Sequence, residues 1–283
     1  MIDVKSREVW FVTGSQHLYG DAALRQVAEN SRRVVEGLNA LGRLPVPTVF
    51  KPVVTTAESI LQLCQEANAE DRCIGLVCWM HTFSPAKMWI AGLSRLHKPL
   101  AHLHTQFNQQ IPWSTIDMDF MNLNQSAHGG REFGYICTRI RKPRKVIVGH
   151  WQEAEVHERL AAWMRAAVAL HEMRNLKVAR LGDNMRQVAV TEGDKVEAQI
   201  QLGVDVSGYG VGELVAQIQD VQEADIDRLV AEYDETYAMA ASLQSGGADR
   251  ESLRYAARGE LGLRAFLDSV GARAFTDTFE DLC

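Results

Sequence analysis

Cysteines spaced for a disulfide framework or a zinc site are missing from this sequence. Its five cysteines (Cys64, Cys73, Cys78, Cys137 and Cys283) form an odd count without CxxC spacing, which argues against both. Cys73 and Cys78 flank or lie in an apolar run and read as small core residues, so the thiols are expected to be reduced and structural. No apolar run approaches the ~18–20 residues needed to span a bilayer, and the MIDVKSREVW start has no signal-peptide core. A cytoplasmic protein with no membrane partner is expected. Positive charge is in deficit as well: the formal net charge is -6, whereas nucleic acid and anionic membranes reward clustered Lys and Arg. The one basic run, Arg139 to Lys145, contains Pro143 and reads as a solvated loop between a helix and a strand. There is no P-loop, no HExxH and no GxSxG nucleophile elbow. Paired carboxylates are scarce where they would matter, since Asp117, Asp119, Glu132 and Asp183 form no obvious acid/base pair. Asp117 and Asp119 read as turn and helix-start residues, and Glu132 as a first-turn residue of the helix that follows.

What is present is enough for two cores: 283 residues, 46% apolar and 23% charged. Glu8 to Val12 is a buried-strand run that ends in Thr13 to Gly20, before a helix beginning near Asp21 and stopping near Gly42. A short strand within Val46 to Val54 and a helix at Ala57 to Ala67 follow. Ile74 to Met80 is continuous apolar sequence, as in a parallel strand covered on both faces. Ser84-Pro85 supplies an N-cap and first-turn proline for a helix to His97. Strands at Leu100 to Leu103 and Lys145 to Gly149, with a helix at Gln152 to Leu170, complete an alternation that signals a doubly wound parallel sheet. This first α/β domain, flavodoxin- or Rossmann-like, is assigned to residues 1–175. A partial second α/β domain at 176–283 opens with a strand at Lys177 to Leu181. It continues through helices around Asp194 to Gln201, Gly212 to Val221, Ala224 to Met239 and Arg250 to Val270, and has a last strand at Arg273 to Thr278. Such a domain, ending just after a strand, reads as unfinished.

The densest chemistry lies in Asp117 to Gly134, DMDFMNLNQSAHGGREFG. Asn122, Asn124, Gln125, the nearby Asn108 and His128 offer donors and acceptors together, which suits a polar, uncharged ligand such as a polyol. The plain reading is a turn-rich surface loop with a helix starting near Gly130. Context favours a site, because ligands of open α/β sheets bind outside the carboxyl ends of the strands. The loops leaving those ends, Gly14 to Gly20, His81 to Ser84, His104 to Asn108 and Gly182 to Met185, are rich in amide, imidazole and aromatic groups. His102 and His104, two apart on a strand, share a face that a metal could use, although such histidines are more often core or crevice residues. Gly208-Tyr209-Gly210-Val211-Gly212 is GxGxG rather than GxGxxG, so a nicotinamide site rests on little.

Taken in order, EVWFVTGSQHLYG, HTFSPAKMW, HTQFN, DMDFMNLNQSAHGGREFG, GHW and LGDNMR resemble the L-arabinose isomerase family over nearly the whole chain. The resemblance implies reversible conversion of L-arabinose to L-ribulose, with D-galactose to D-tagatose as a side activity, in L-arabinose catabolism. It also implies a divalent metal, typically manganese(II), and homo-oligomers, commonly hexamers, with the active site between subunits. Carried over by motif, Gln16, Leu18 and Tyr19 would line the sugar pocket with Met185 and Phe279, while Phe83, Gln125 and His128 would reach a neighbouring subunit's pocket. The family's metal ligands and proton-transferring carboxylates fall beyond the end of this sequence. The resemblance therefore assigns no catalytic and no metal residue to this chain. A non-catalytic sugar-binding or oligomer-interface module is the alternative.

Overall fold

The computed structural model of the protein describes residues 4–278, and the chain divides into two compact units, Met1–His171 and Glu172–Cys283. In the first, the chain runs β1 (Glu8–Gly14), α1 (Gly20–Ala40), β2 (Thr48–Phe50), α2 (Ala57–Ala69), β3 (Cys73–Met80), α3 (Ile90–Arg95), β4 (Leu100–His104), α4 (Met118–Leu123), α5 (Ser126–Arg139), β5 (Lys145–Val148) and α6 (Ala154–Arg174). The five strands form one all-parallel sheet in the order β2-β1-β3-β4-β5. That is the flavodoxin-like doubly wound order, whose topological switch point lies between β1 and β3.

Alternation along each strand divides the apolar side chains between two cores. Trp10, Val12, Leu76, Cys78 and Met80 pack on one face against Ile60, Leu63 and Cys64 of α2, Leu93 of α3 and Phe133 and Cys137 of α5. Val9, Phe11, Val77, Trp79, Ala101, Leu103 and Ile147 face the other way, against Val34, Val35 and Leu38 of α1 and Val156, Leu160 and Met164 of α6. All eight residues of β3 are buried, at roughly 1.5–3 kcal/mol for each large aliphatic side chain taken from water. The continuous apolar run was therefore a correct sign of a central parallel strand. Cys64, Cys73, Cys78 and Cys137 are free and buried, and burial pushes the thiols of Cys64, Cys73 and Cys137 up to about 11. Cys283 lies outside the described residues.

The second unit holds β6 (Lys177–Leu181), α7 (Lys195–Leu202), β7 (Asp205–Tyr209), α8 (Val211–Gln219), α9 (Glu223–Thr236), α10 (Arg250–Val270) and β8 (Ala274–Asp277). Its parallel sheet has the order β7-β6-β8. Ala179, Leu181, Leu214 and Phe266 form a core under the sheet, and Ile226, Leu229, Val230 and Ala257 join α9 to α10. The first two glycines of the GxGxG run divide between strand and cap. Gly208 lies in β7, and the amide of Gly210, at the N-cap of α8, donates to Glu213 Oε1 at 2.9 Å. No helix among the described residues is long and apolar enough to cross a membrane.

Two expectations need correction. The helix expected from Ser84 to His97 is a 3-10 turn, Ala86–Trp89, followed by the six-residue α3. Ser84 does not cap it; the fully buried hydroxyl accepts from Trp89 Nε1 at 3.0 Å. Glu132, four residues beyond the first turn of its own helix, instead accepts from the amide of Ala86 at 2.9 Å. It thus serves an orphan donor at the start of a different element.

Candidate functional site

Because every strand of the first sheet is parallel, the loops after β1, β3 and β4 emerge at one edge. The segment that carries most of the amides builds onto this edge as two helices rather than a loop. Asp117 caps α4, its Oδ1 accepting from the amide of Phe120 at 2.8 Å. After Asn124 and Gln125 the chain turns directly into α5. Its start at Ser126 rather than near Gly130 is a second boundary correction, and the glycine pair explains it. A Cβ on Gly129 would lie 2.6 Å from the carbonyl oxygen of Thr82, and one on Gly130 would lie 2.8 Å from His104 Nε2. These glycines do not turn the chain; they let the helix settle onto the ends of β3 and β4.

That seating brings Phe83, Gln125 and His128 together. The rings of Phe83 and His128 stack with centroids 4.5 Å apart and planes at 27°. His128 Nδ1 donates to Gln125 Oε1 at 3.2 Å, and Gln125 Nε2 donates to Asn122 Oδ1 at 3.3 Å. With Nδ1 carrying the proton, the Nε2 of a neutral His128 is left as an acceptor. Beside them is a cavity of about 510 Å³, lined by the amides of Gln106, Asn108, Gln110, Asn122, Asn124 and Gln125 and by Ile111, Ile116, Met118, Phe120 and Met121. No carboxylate, lysine or arginine is among the described residues that line it. Neutral donors and acceptors between apolar walls suit a ligand with hydroxyls and a carbon skeleton.

Gln16, Leu18 and Tyr19 sit on the adjoining loop after β1. Gln16 and Tyr19 are half-buried and Leu18 is exposed; His17 Nε2 is 3.0 Å from Thr55 Oγ1. Met185 belongs to the second unit, half-buried in the loop after β6, where Arg180 donates to Asn184 and Asn184 to Glu192. Phe279 lies outside the described residues.

Beneath the loops is a layer of buried polar pairs that the motif-led reading passed over. Thr13 Oγ1 lies 2.8 Å from Ser31 Oγ, and Ser15 Oγ lies 2.7 Å from Thr82 Oγ1. Gln26 Nε2 donates to Asn30 Oδ1 at 2.9 Å, so Asn30 Nδ2 donates to His81 Nε2 at 2.8 Å. His81 is stacked on Trp79 at 4.4 Å, and Trp79 Nε1 donates to the carbonyl of Thr105 at 3.0 Å. Burial holds His81 down to about 4. The sequence signal was available: Thr13, Ser15, His81 and Thr82 continue strands beyond their apolar runs, and buried polar groups need partners.

His102 and His104 do share a face, but their rings stack on each other at 5.2 Å, with the edge of Phe133 against His102. His102 is driven down to about 3 by burial, then by His104 and Arg144. Among the described residues no three His, Cys, Asp or Glu side chains converge to hold a metal ion.

The model for the L-arabinose isomerase N-terminal domain matches residues 3–175, and that for the L-arabinose isomerase central domain matches residues 177–283. Over 282 of its 283 residues the chain is 63% identical to an L-arabinose isomerase of Herpetosiphon aurantiacus and 61% identical to those of Koribacter versatilis and Geobacillus thermodenitrificans. The matched region is 56%, 56% and 57% of those relatives' own lengths, so the chain spans little more than half of each. The N-terminal family model, which matches more than half of the chain, shows that the chain belongs to the L-arabinose isomerase family.

Proposed function

We propose that this chain provides the substrate-holding part of an L-arabinose isomerase. It would bind L-arabinose, and D-galactose less well, for conversion to L-ribulose and D-tagatose in L-arabinose catabolism in the cytoplasm. The observation that carries the reading is the cavity of about 510 Å³ whose described lining is all amide, imidazole and apolar. Gln125 and His128 hold sugar hydroxyls through Gln125's free hydrogen-bonding capacity and the His128 Nε2 acceptor. Phe83 buttresses the imidazole. Gln16, Leu18, Tyr19, Met185 and Phe279 contribute further walls of the pocket in an assembled homo-oligomer, a hexamer by family resemblance.

Aldose–ketose isomerisation moves a proton between adjacent carbons and needs a positioned base. Asp117 is occupied as a helix cap and Glu132 as the acceptor for Ala86, so neither is assigned that role. Manganese(II) would supply Lewis-acid chemistry in the complete site, held by residues outside those described here. The chain alone is thus expected to bind sugar without turnover. Titration calorimetry with L-arabinose should give a saturable heat that His128→Ala reduces by about tenfold in affinity, the scale of one or two lost hydrogen bonds. Metal-dependent L-ribulose formation by the purified chain would refute the inactivity. A second reading, an oligomer-interface module, is favoured by one feature: within residues 111–121 the large apolar side chains of Ile111, Trp113, Met118 and Met121 are exposed, Trp113 to 78%. Absence of sugar binding together with association to a full-length isomerase would select it.

A further inference from the structure

We infer that Ser15 and Thr82 are positioning residues that fix one sugar-binding loop against the other, an inference that rests on the sugar-binding reading above. Their hydroxyls are 2.7 Å apart and both side chains are fully buried. They stand just past the ends of β1 and β3, the two strands that flank the switch point of the sheet. Ser15 is the residue before Gln16, and Thr82 the residue before Phe83. The bond therefore joins the loop that carries Gln16 and Tyr19 to the loop that carries Phe83, whose ring stacks on His128 of α5.

The connection extends to α5. The carbonyl of Thr82 is the atom that a Cβ on Gly129 would strike at 2.6 Å, so the helix N-terminus is seated on Thr82. Ser126 Oγ donates to the carbonyl of His81 at 3.5 Å, a long bond on the same seam. Moving Thr82 thus moves the platform under Gln125 and His128. Neither hydroxyl faces solvent, so neither can touch a sugar; the pair acts through the loops. A buried hydroxyl whose partner is removed has no water to turn to. Apart from the bond from the amide of Ser15 to the carbonyl of Val54 at 2.9 Å at its base, the loop after β1 is lightly held: Leu18 is 85% exposed, and the described side-chain tie of His17 is to half-buried Thr55.

The test uses the 283-residue chain with Thr82→Val, which keeps the shape and removes the hydroxyl, and Thr82→Ser, which restores it. Amide hydrogen exchange is followed by mass spectrometry, and L-arabinose affinity by calorimetry. In Thr82→Val, exchange at residues 16–20 is expected to rise by about tenfold, with sugar affinity about tenfold weaker. Exchange in the central strands β1 and β3 stays unchanged, and Thr82→Ser recovers both properties. Unchanged exchange at 16–20, or a uniform rise throughout the first unit, would overturn the positioning role. Failure of the unsubstituted chain to bind L-arabinose would overturn the sugar reading instead, and the exchange comparison, which needs no sugar, would still decide the tie.

Discussion

At the scale of single residues, the buried imidazoles make a measurable demand on pH. His81 and His102 are held down to about 4 and about 3, each by burial first, whereas an exposed histidine titrates near 6.5. Between those values the unfolded chain binds protons that the native chain refuses, so stability must rise with pH across the window. It is complete above about 6.5 and is lost as pH falls towards 4 and then 3. At pH 4.5 each histidine should account for roughly 2–3 kcal/mol relative to pH 7.5. Urea unfolding followed by circular dichroism at the two pH values should show the lower midpoint in acid. A His81→Gln protein should lose less on acidification, and an equal loss in both proteins would assign the effect to other groups.

At the scale of elements, Glu132 links α5 to the start of the Ala86–Trp89 turn. Glu132→Ala leaves the amide of Ala86 without its carboxylate acceptor and should cost on the order of 1–2 kcal/mol, the range for a lost helix cap. Thermal unfolding should show the drop, with Glu132→Gln recovering part of it, because the amide oxygen can still accept. No change in either variant would mean that water replaces the carboxylate at no cost.

The contrast between elements also explains what was legible beforehand. Buried strands announce themselves because both faces are covered, and β3 reads as one apolar run. Long amphipathic helices such as α1 and α10 carry their own periodicity. The six-residue α4 buries no residue and is too short to show a helical period, and only its Asp117 cap hinted at a start. Glycine in Ala127-His128-Gly129-Gly130 suggested a turn, because the close approach it serves depends on Thr82 and His104, distant in sequence. The amides of the candidate site were visible as composition, but the support beneath them was not. Ser15 with Thr82, and Asn30 with His81, become pairs only when the strand order is known.

At the scale of the whole molecule, the exposed apolar surface determines how the chain behaves in solution. Within the second unit, Val196 and Ile200 are each 68% exposed and stand four residues apart, on one face of α7; Val190 is 92% exposed. Phe275, 47% exposed, lies on β8, an edge of the β7-β6-β8 sheet. A row of unpaired backbone groups beside large apolar side chains is a surface on which chains associate. The first unit adds Met118 and Met121, which line the candidate cavity, and the exposed Trp113, two residues after the cavity-lining Ile111. We expect the purified chain to self-associate at micromolar concentrations, with size-exclusion chromatography and light scattering giving a mass above the monomer. Two independent changes separate the surfaces. Val196→Lys with Ile200→Lys should reduce association without altering sugar binding, since neither residue belongs to the candidate site. Trp113→Ser should reduce association through the first unit, and any accompanying loss of affinity would mean that the cavity is completed by a second copy. A sharp monomer peak for the unsubstituted chain would count against both surfaces, and the exposed apolar side chains would then be ordinary solvated surface.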